Sequence, residues 1–214
     1  MSSKEPWEEL FMIAMGLTDQ VTATVGEPFR WSFGGGTVLM LRLRHRRSKD
    51  IDLFIDDRQM LGMFNPRISD SALAVTPDYD ESNDHIKLFL RQGEIDVIAA
   101  SPLTDEPFET AHVLDRAVRL ERPGEIIAKK FWHRGNRATA RDLFDLAAVA
   151  ATDSPAISES LPFLGVHARA FLHQLDARQN ILKAEFAAID RLNFELSFDE
   201  SADIARAILT PLAM

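Results

Sequence analysis

The sequence contains no cysteine, and this absence excludes several classes of protein. Disulfide frameworks, thiolate zinc sites, iron–sulfur clusters and cysteine nucleophiles all require that residue. Any bound metal ion would therefore be held by oxygen or imidazole ligands.

Long apolar runs are also missing. No stretch approaches the roughly 18 uninterrupted apolar residues that a membrane span requires. The acidic start, from Lys4 to Glu9, lacks the basic region of a signal peptide. We therefore expect a soluble, cytoplasmic protein with no membrane partner.

Glycine and proline are scarce, with 10 of each, and hydrophobic residues make up 46% of the 214 positions. This composition is typical of globular proteins and excludes fibrous or disordered chains. The length permits one domain, or one domain with a small helical partner.

Basic residues are outnumbered, and the net charge of −9 argues against a uniformly basic nucleic-acid binder. The charge is uneven, however. Residues 41–49 and 119–141 each sum to +5, which leaves −19 for the remaining chain. Such basic segments either bind a polyanion locally or form ordinary solvated helix faces.

Apolar periodicity predicts an α+β (mixed α/β) fold. We expect a short mixed sheet flanked by helices in residues 1–122 and an all-helical region in residues 123–214. The predicted helices cover residues 6–26, 58–64, 123–134, 138–151 and 199–209, with another beginning at Val38 and further helical pattern between residues 155 and 199. The predicted strands cover residues 29–33, 51–55, 72–76, 86–90, 95–99 and 118–121, and turns are expected at residues 77–84 and 92–93.

The clearest chemical signal is a glycine turn, Gly34 to Gly36, followed after a predicted helix by Asp50 and Asp52. Glycines between a strand and a helix allow backbone amides to approach a phosphate closely. Two aspartates spaced by two on a strand share a face and can hold a divalent cation together. Each feature alone is weak, because an Asp-x-Asp pair is often a solvated strand edge.

Asp96 is a candidate third carboxylate, because it lies among apolar residues of another predicted strand. A carboxylate in such surroundings is costly unless it is paired or bound to a metal ion. Asp96 could also lie on the exposed face of a half-buried strand. Glu94 shares its face and is the alternative ligand.

Two segments resemble motifs of the AbiEii-type nucleotidyltransferase toxins, within the polymerase-beta-like nucleotidyltransferase superfamily. Residues 35–39 (Gly-Gly-Thr-Val-Leu) and 46–52 (Arg-Arg-Ser-Lys-Asp-Ile-Asp) are similar to the first motif. A later helical motif is matched by Lys130, Arg137, Arg141, Asp142 and the pair Asp145-Leu146. In the middle motif a lysine usually stands two residues before the aspartate, where this chain has Glu94.

The resemblance implies a nucleotidyltransferase fold in residues 1–122 and a helical domain in residues 123–214 that completes the cleft. It implies one or two Mg²⁺ ions held by Asp50, Asp52 and Asp96, with Lys130 and Asp142 also catalytic. Nucleotide contacts are expected from Lys130 and from five residues of the first motif: Gly35, Gly36, Thr37, Arg46 and Ser48. RNA contacts are expected from Arg42, Arg44, Arg134 and Arg137, and Asp145 is expected to be structural.

The implied reaction transfers NMP from an NTP to an acceptor hydroxyl and releases pyrophosphate. The implied acceptor is RNA, at the 3′ end of tRNA, and the implied partner is a separately encoded antitoxin. An acceptor such as an aminoglycoside suits an acidic protein equally well. A non-catalytic nucleotide-binding protein of the same fold is the alternative from a different class, and a Ca²⁺-binding domain is disfavoured by the adjacent basic residues.

Overall fold

A computed structural model of the chain describes residues 5–26 and 29–213. Its strands form one mixed sheet of seven, in the order β3-β4-β5-β2-β1-β7-β6. The strands are β1 (Trp31–Gly34), β2 (Ile51–Ile55), β3 (Tyr79–Glu81), β4 (His85–Leu90), β5 (Gly93–Ala99), β6 (Phe108–Val113) and β7 (Arg116–Glu121).

Along the described chain, helices occur before, between and after the strands. They are α1 (Pro6–Val25), α2 (Gly35–Leu43), α3 (Asp70–Val75), α4 (Pro123–Arg134), α5 (Ala140–Thr152), α6 (Ser154–Ala177), α7 (Gln179–Ala187) and α8 (Phe198–Leu209). Short 3₁₀ turns occupy Arg58–Phe64, Gly135–Arg137 and Thr210–Leu212. None of the helices seen in residues 5–26 and 29–213 combines the length and the apolar character needed to span a membrane.

The chain divides into two compact units. The first contains the described residues of Met1–Val38, Ser48–Pro102 and Phe108–Glu121, and therefore the whole sheet. The second contains Leu39–Arg47, Leu103–Pro107 and the described residues of Arg122–Met214. The domain boundary expected after residue 122 stays a prediction.

The centre of the sheet is strand β2, whose register determines which side chains meet. β2 pairs antiparallel with β1 and parallel with β5. In this register Asp52 lies opposite Gly34 on one side and Asp96 on the other. Ile51, Leu53 and Ile55 are fully buried, so the apolar alternation of β2 fixes the face that carries Asp52.

The second unit is built around aromatic side chains. The rings of Phe131 and Phe171 lie 4.9 Å apart, and those of Phe144 and Phe186 lie 5.2 Å apart. The segment after α2 is fastened to residues near the C-terminal helices, because the Arg47 amide donates to the carbonyl of Asp190 and the Leu192 amide donates to that of His45. The basic motif around Arg46 is thereby held within this unit.

The sequence predictions differ from the structure at four elements. The apolar pattern of residues 72–76 predicts a strand, but these residues lie in and just after α3. The Ser69 hydroxyl accepts a hydrogen bond from the Ala72 amide and caps this helix. Helix α2 begins at Gly35 rather than Val38. The expected turn at 77–84 contains β3, and β6 was not predicted, because its sequence shows little apolar alternation.

Candidate active site

The glycine turn connects β1 to α2 in the first unit, and its glycines are required by close contacts. Gly35 has a φ of 70°, a conformation that side chains with a Cβ rarely adopt. A Cβ added at Gly35 would overlap the carboxylate of Asp52, and one added at Gly34 would overlap that of Glu121. The first residues of α2 therefore lie directly against an acidic side chain.

Thr37 fastens this turn to the segment before β2. Its hydroxyl donates to the carbonyl of Asp50 at 2.5 Å and lies 3.0 Å from the hydroxyl of Ser48. Thr37 is fully buried, so its present contacts are internal. Gly36 is half-buried in the first turn of α2, and the nucleotide contacts expected of Gly35, Gly36, Thr37 and Ser48 stay predictions.

Asp52 and Asp96 are direct neighbours across the β2–β5 pair. The Asp96 side chain is 18% exposed, and its Oδ1 atom is buried with no hydrogen-bond partner among the described residues. Burial raises the pKa of Asp96 above its usual range, although the nearby charge of Lys87 opposes this rise. Such an oxygen is costly unless a ligand supplies the missing partner.

Lys87, on the neighbouring strand β4, is a site residue that sequence reasoning missed. Lys87 lies opposite Asp96 in the register. Its Nζ atom lies 3.0 Å from Glu94 Oε2 and 3.4 Å from Asp96 Oδ2. Burial lowers the pKa of Lys87, but the two acids outweigh that effect and raise it. Glu94 is thus paired with an ammonium group.

Asp50 precedes the first residue of β2 and has a different partner. Its Oδ1 atom accepts a hydrogen bond of 3.1 Å from the backbone amide of Glu94. Within residues 5–26 and 29–213, no three histidine, aspartate or glutamate side chains are clustered closely enough to form a ready-made metal site. The role of Asp50 as a metal ligand stays a prediction.

The residues present nevertheless fit a Mg²⁺ ion bound together with a nucleotide. Magnesium is commonly held by one or two carboxylates and the phosphates of a substrate, rather than by an all-protein cage. Asp52 and Asp96 are register partners in the β2–β5 pair, so both carboxylates extend from the same face of the sheet. The buried Asp96 Oδ1 also lacks a partner among the described residues, as a cation ligand would in a structure without the cation.

The second unit contains another acidic centre, Asp145, which is surrounded by cations. Arg46 donates to both carboxylate oxygens, with Nε at 2.6 Å from Oδ1 and Nη2 at 2.8 Å from Oδ2. His45 Nε2 lies 2.8 Å from Oδ1, and Lys130 Nζ lies 3.0 Å from Oδ2. Burial would raise the pKa of Asp145, but Arg46 and Lys130 outweigh it and hold that pKa well below its usual range.

Asp142 shares Lys130 with Asp145. Its Oδ1 atom accepts from Lys130 at 2.8 Å and from Arg134 at 2.9 Å, and its Oδ2 atom accepts from the Thr139 hydroxyl at 2.7 Å. Burial would raise the pKa of Asp142, but Lys130 and Arg134 outweigh it and lower it to about 2. Lys130 is therefore held between two ionised carboxylates.

The structure brings the predicted site residues together in two separate groups. Asp52 and Asp96 meet in the first unit, while Arg46, Lys130 and Asp142 meet in the second. Arg46 is only 5% exposed, which a resemblance between sequences does not reveal. Of the arginines expected to contact RNA, Arg44, Arg134 and Arg137 are exposed and Arg42 is half-buried.

Most of the sequence matches one known protein family. The sequence model of the family described as "Nucleotidyl transferase AbiEii toxin, Type IV TA system" matches residues 22–207. No curated protein sequence gives a significant match.

Solved structures share the fold at low sequence identity. MenT4, a nucleotidyltransferase toxin of Mycobacterium tuberculosis, is 17% identical with a TM-score of 0.52, and the match covers 92% of this chain and 84% of that one. A candidate nucleotidyltransferase of H. pylori is 15% identical with a TM-score of 0.50, covering 92% and 94% respectively.

Proposed function

Because this chain belongs to the AbiEii family of nucleotidyl transferase toxins from type IV toxin–antitoxin systems, we propose that it uses Mg²⁺ to transfer NMP from an NTP to RNA. The chain is a nucleotidyltransferase by its family. The acceptor we propose is the hydroxyl at the 3′ end of tRNA, and the proposed partner is a separately encoded antitoxin. The observation that carries the proposal is the position of Asp52 directly opposite Asp96 in neighbouring strands. The Oδ1 atom of Asp96 is buried and lacks a hydrogen-bond partner among the described residues.

In this reaction the acceptor oxygen attacks the α-phosphorus, the bond to the β-phosphate oxygen breaks, and pyrophosphate leaves. Bound Mg²⁺ would neutralise the phosphates and stabilise the charge on the leaving pyrophosphate. Asp50, Asp52 and Asp96 are the proposed holders of one or two such ions. Asp96 is also the proposed acceptor of the hydroxyl proton, since its pKa is raised by burial.

Other residues are proposed to hold the triphosphate. The amides of Gly35 and Gly36 and the hydroxyls of Thr37 and Ser48 would bind phosphate oxygens. Lys130 would supply a point charge, with Asp142 and Asp145 holding its ammonium in place. Arg46 would act by orienting this group, because its Nε and Nη2 atoms already donate to Asp145 and its Nη1 atom donates to the carbonyl of Arg47.

RNA binding is proposed for the basic segments 41–49 and 119–141. Arg44, Arg134 and Arg137 are exposed and can reach a phosphate backbone. Because these contacts neutralise phosphates, RNA binding should weaken steeply with salt. The acidic remainder of the chain would limit nonspecific binding.

The test is incubation with each of four α-labelled NTPs, Mg²⁺ and total RNA. We expect label in RNA with wild type and none with the Asp50→Ala/Asp52→Ala double variant. The matched control is Asp56→Ala/Asp80→Ala, which removes the same charge at two exposed positions and should retain transfer.

A parallel reaction replaces RNA with a panel of aminoglycosides and other small hydroxyl compounds. Label in a small molecule but not in RNA would overturn the proposed acceptor. Tight NTP binding with no transfer to either acceptor class would favour a non-catalytic nucleotide-binding protein instead.

A further inference from the structure

The ammonium group of Lys87 lies between two carboxylates beside the proposed cation site. Lys87 is on β4, and its Nζ atom lies 3.0 Å from Glu94 and 3.4 Å from Asp96, which are both on the neighbouring strand β5. The Lys87 side chain is 29% exposed, so water screens these interactions only in part. The same charge that stabilises Asp96 in the free protein would repel a divalent cation arriving there.

Asp96 needs a positive charge such as the Lys87 ammonium when no metal ion is bound. It lies directly beside Asp52 in the sheet register, and two adjacent carboxylates repel each other. Lys87 contacts Asp96 Oδ2 and leaves Oδ1 without a hydrogen-bond partner among the described residues. The compensation is therefore incomplete and leaves an oxygen available to a ligand.

We propose that Lys87 is an internal counter-ion of the cation site, which neutralises Asp96 in the free protein and pairs with Glu94 alone when a divalent cation binds. The inference rests on the proposed Mg²⁺-dependent function and names how that site is regulated. Lys87 is a positioning residue in this scheme, since it acts through Asp96.

Glu94 keeps Lys87 in an ion pair when the lysine moves away from Asp96. Its Oε2 atom is already the nearer acceptor of the lysine, at 3.0 Å. Lys87 can therefore leave Asp96 by a small movement without losing its ion pair. This role differs from direct metal ligation by Glu94, and the two roles predict different results.

The first experiment measures binding of Mn²⁺, as a probe for Mg²⁺, to nucleotide-free protein by electron paramagnetic resonance. Lys87→Met and Lys87→Gln remove the competing charge, and each should lower the dissociation constant about fivefold or more. Lys183→Met is the matched control, because Lys183 also pairs with a carboxylate, that of Asp199. Its dissociation constant should stay within about twofold of wild type.

The second experiment is a double-mutant cycle with Glu94→Gln. If Glu94 acts by holding Lys87, Glu94→Gln weakens Mn²⁺ binding in wild type and has little effect in the Lys87→Met background. An equal loss in both backgrounds would identify Glu94 as a direct ligand and overturn its role as a holder.

The outcomes separate this inference from the proposed function. Wild type that binds Mn²⁺ while folded Lys87→Met and Lys87→Gln bind no tighter overturns the counter-ion role and leaves the proposed function intact. If none of these proteins binds Mn²⁺, with or without a non-hydrolysable NTP, both proposals fail. Circular dichroism establishes that each variant is folded.

Discussion

Asp96 and Asp145 are both largely buried carboxylates, but their surroundings differ in charge. Asp145 accepts hydrogen bonds from Arg46 and lies 3.0 Å from the ammonium of Lys130, whereas Asp96 is contacted by Lys87 and has an oxygen with no hydrogen-bond partner among the described residues. The pKa of Asp145 is held well below its usual range, and that of Asp96 is raised. Burial raises the pKa of both groups, so the direction is decided by how far the neighbouring charges and hydrogen bonds oppose it.

This difference indicates what each group contributes. A carboxylate whose oxygens are already paired contributes to stability and positions its partners. A carboxylate with an unsatisfied buried oxygen costs stability in the free protein and gains a partner when a cation binds. The free energy of unfolding should follow this division, because only the loss of a fully paired carboxylate leaves buried cations without their partner.

The largest effect is expected for Asp145→Asn. The substitution leaves Arg46 and Lys130 buried next to a neutral group, which should reduce the free energy of unfolding by about 3–5 kcal/mol. Urea denaturation monitored by circular dichroism measures it. The matched control is Asp190→Asn, whose ion pair with Arg47 is mostly exposed and should contribute less than about 1 kcal/mol. Equal effects of the two substitutions would contradict the division.

A smaller effect is expected from protonation of Asp142. Its pKa is lowered from 3.8 to about 2 in the folded protein, so its ionised form stabilises the fold above the unfolded pKa. That contribution, about 2 kcal/mol, should be lost as pH falls from 5 toward 2. Urea denaturation across this range should show a shallower pH dependence for Asp142→Asn than for wild type. Identical slopes would show that Lys130 and Arg134 do not hold this carboxylate ionised.

The smallest effect, of opposite sign, is expected for Asp96→Asn. The raised pKa means that the folded protein disfavours ionised Asp96 at neutral pH. A neutral side chain of the same shape should therefore raise the melting temperature of the cation-free protein by about 1–2 °C. Thermal unfolding in EDTA measures this change. A clear fall in melting temperature would indicate that Lys87 fully compensates the charge of Asp96.

Much of the sheet centre could be predicted from the sequence, because its signals are local. The alternation in residues 51–55 defines β2, and the glycines at the junction of β1 and α2 mark the turn that Asp52 approaches. Helices α4 and α5 also follow from their own apolar spacing and the breaks at Pro123 and Gly135.

The remainder depends on contacts between residues far apart in sequence. Lys87 reaches Asp96 only through the register of β4 and β5, which no local pattern specifies. His45 and Arg46 meet Asp145 about a hundred residues later in the chain. β6 lies at the sheet edge beside β7, and its mostly exposed side chains leave little apolar alternation.

We propose that Asp52 and Asp96, which are register partners of β2 and β5, form the catalytic centre of this nucleotidyltransferase. The most direct test is the rate of label transfer from an NTP to RNA by Asp96→Asn, measured with saturating Mg²⁺ on protein whose melting temperature is known. We expect the rate to fall by about a thousandfold or more, while the melting temperature stays at or above that of wild type. Transfer within about tenfold of the wild-type rate would contradict the claim.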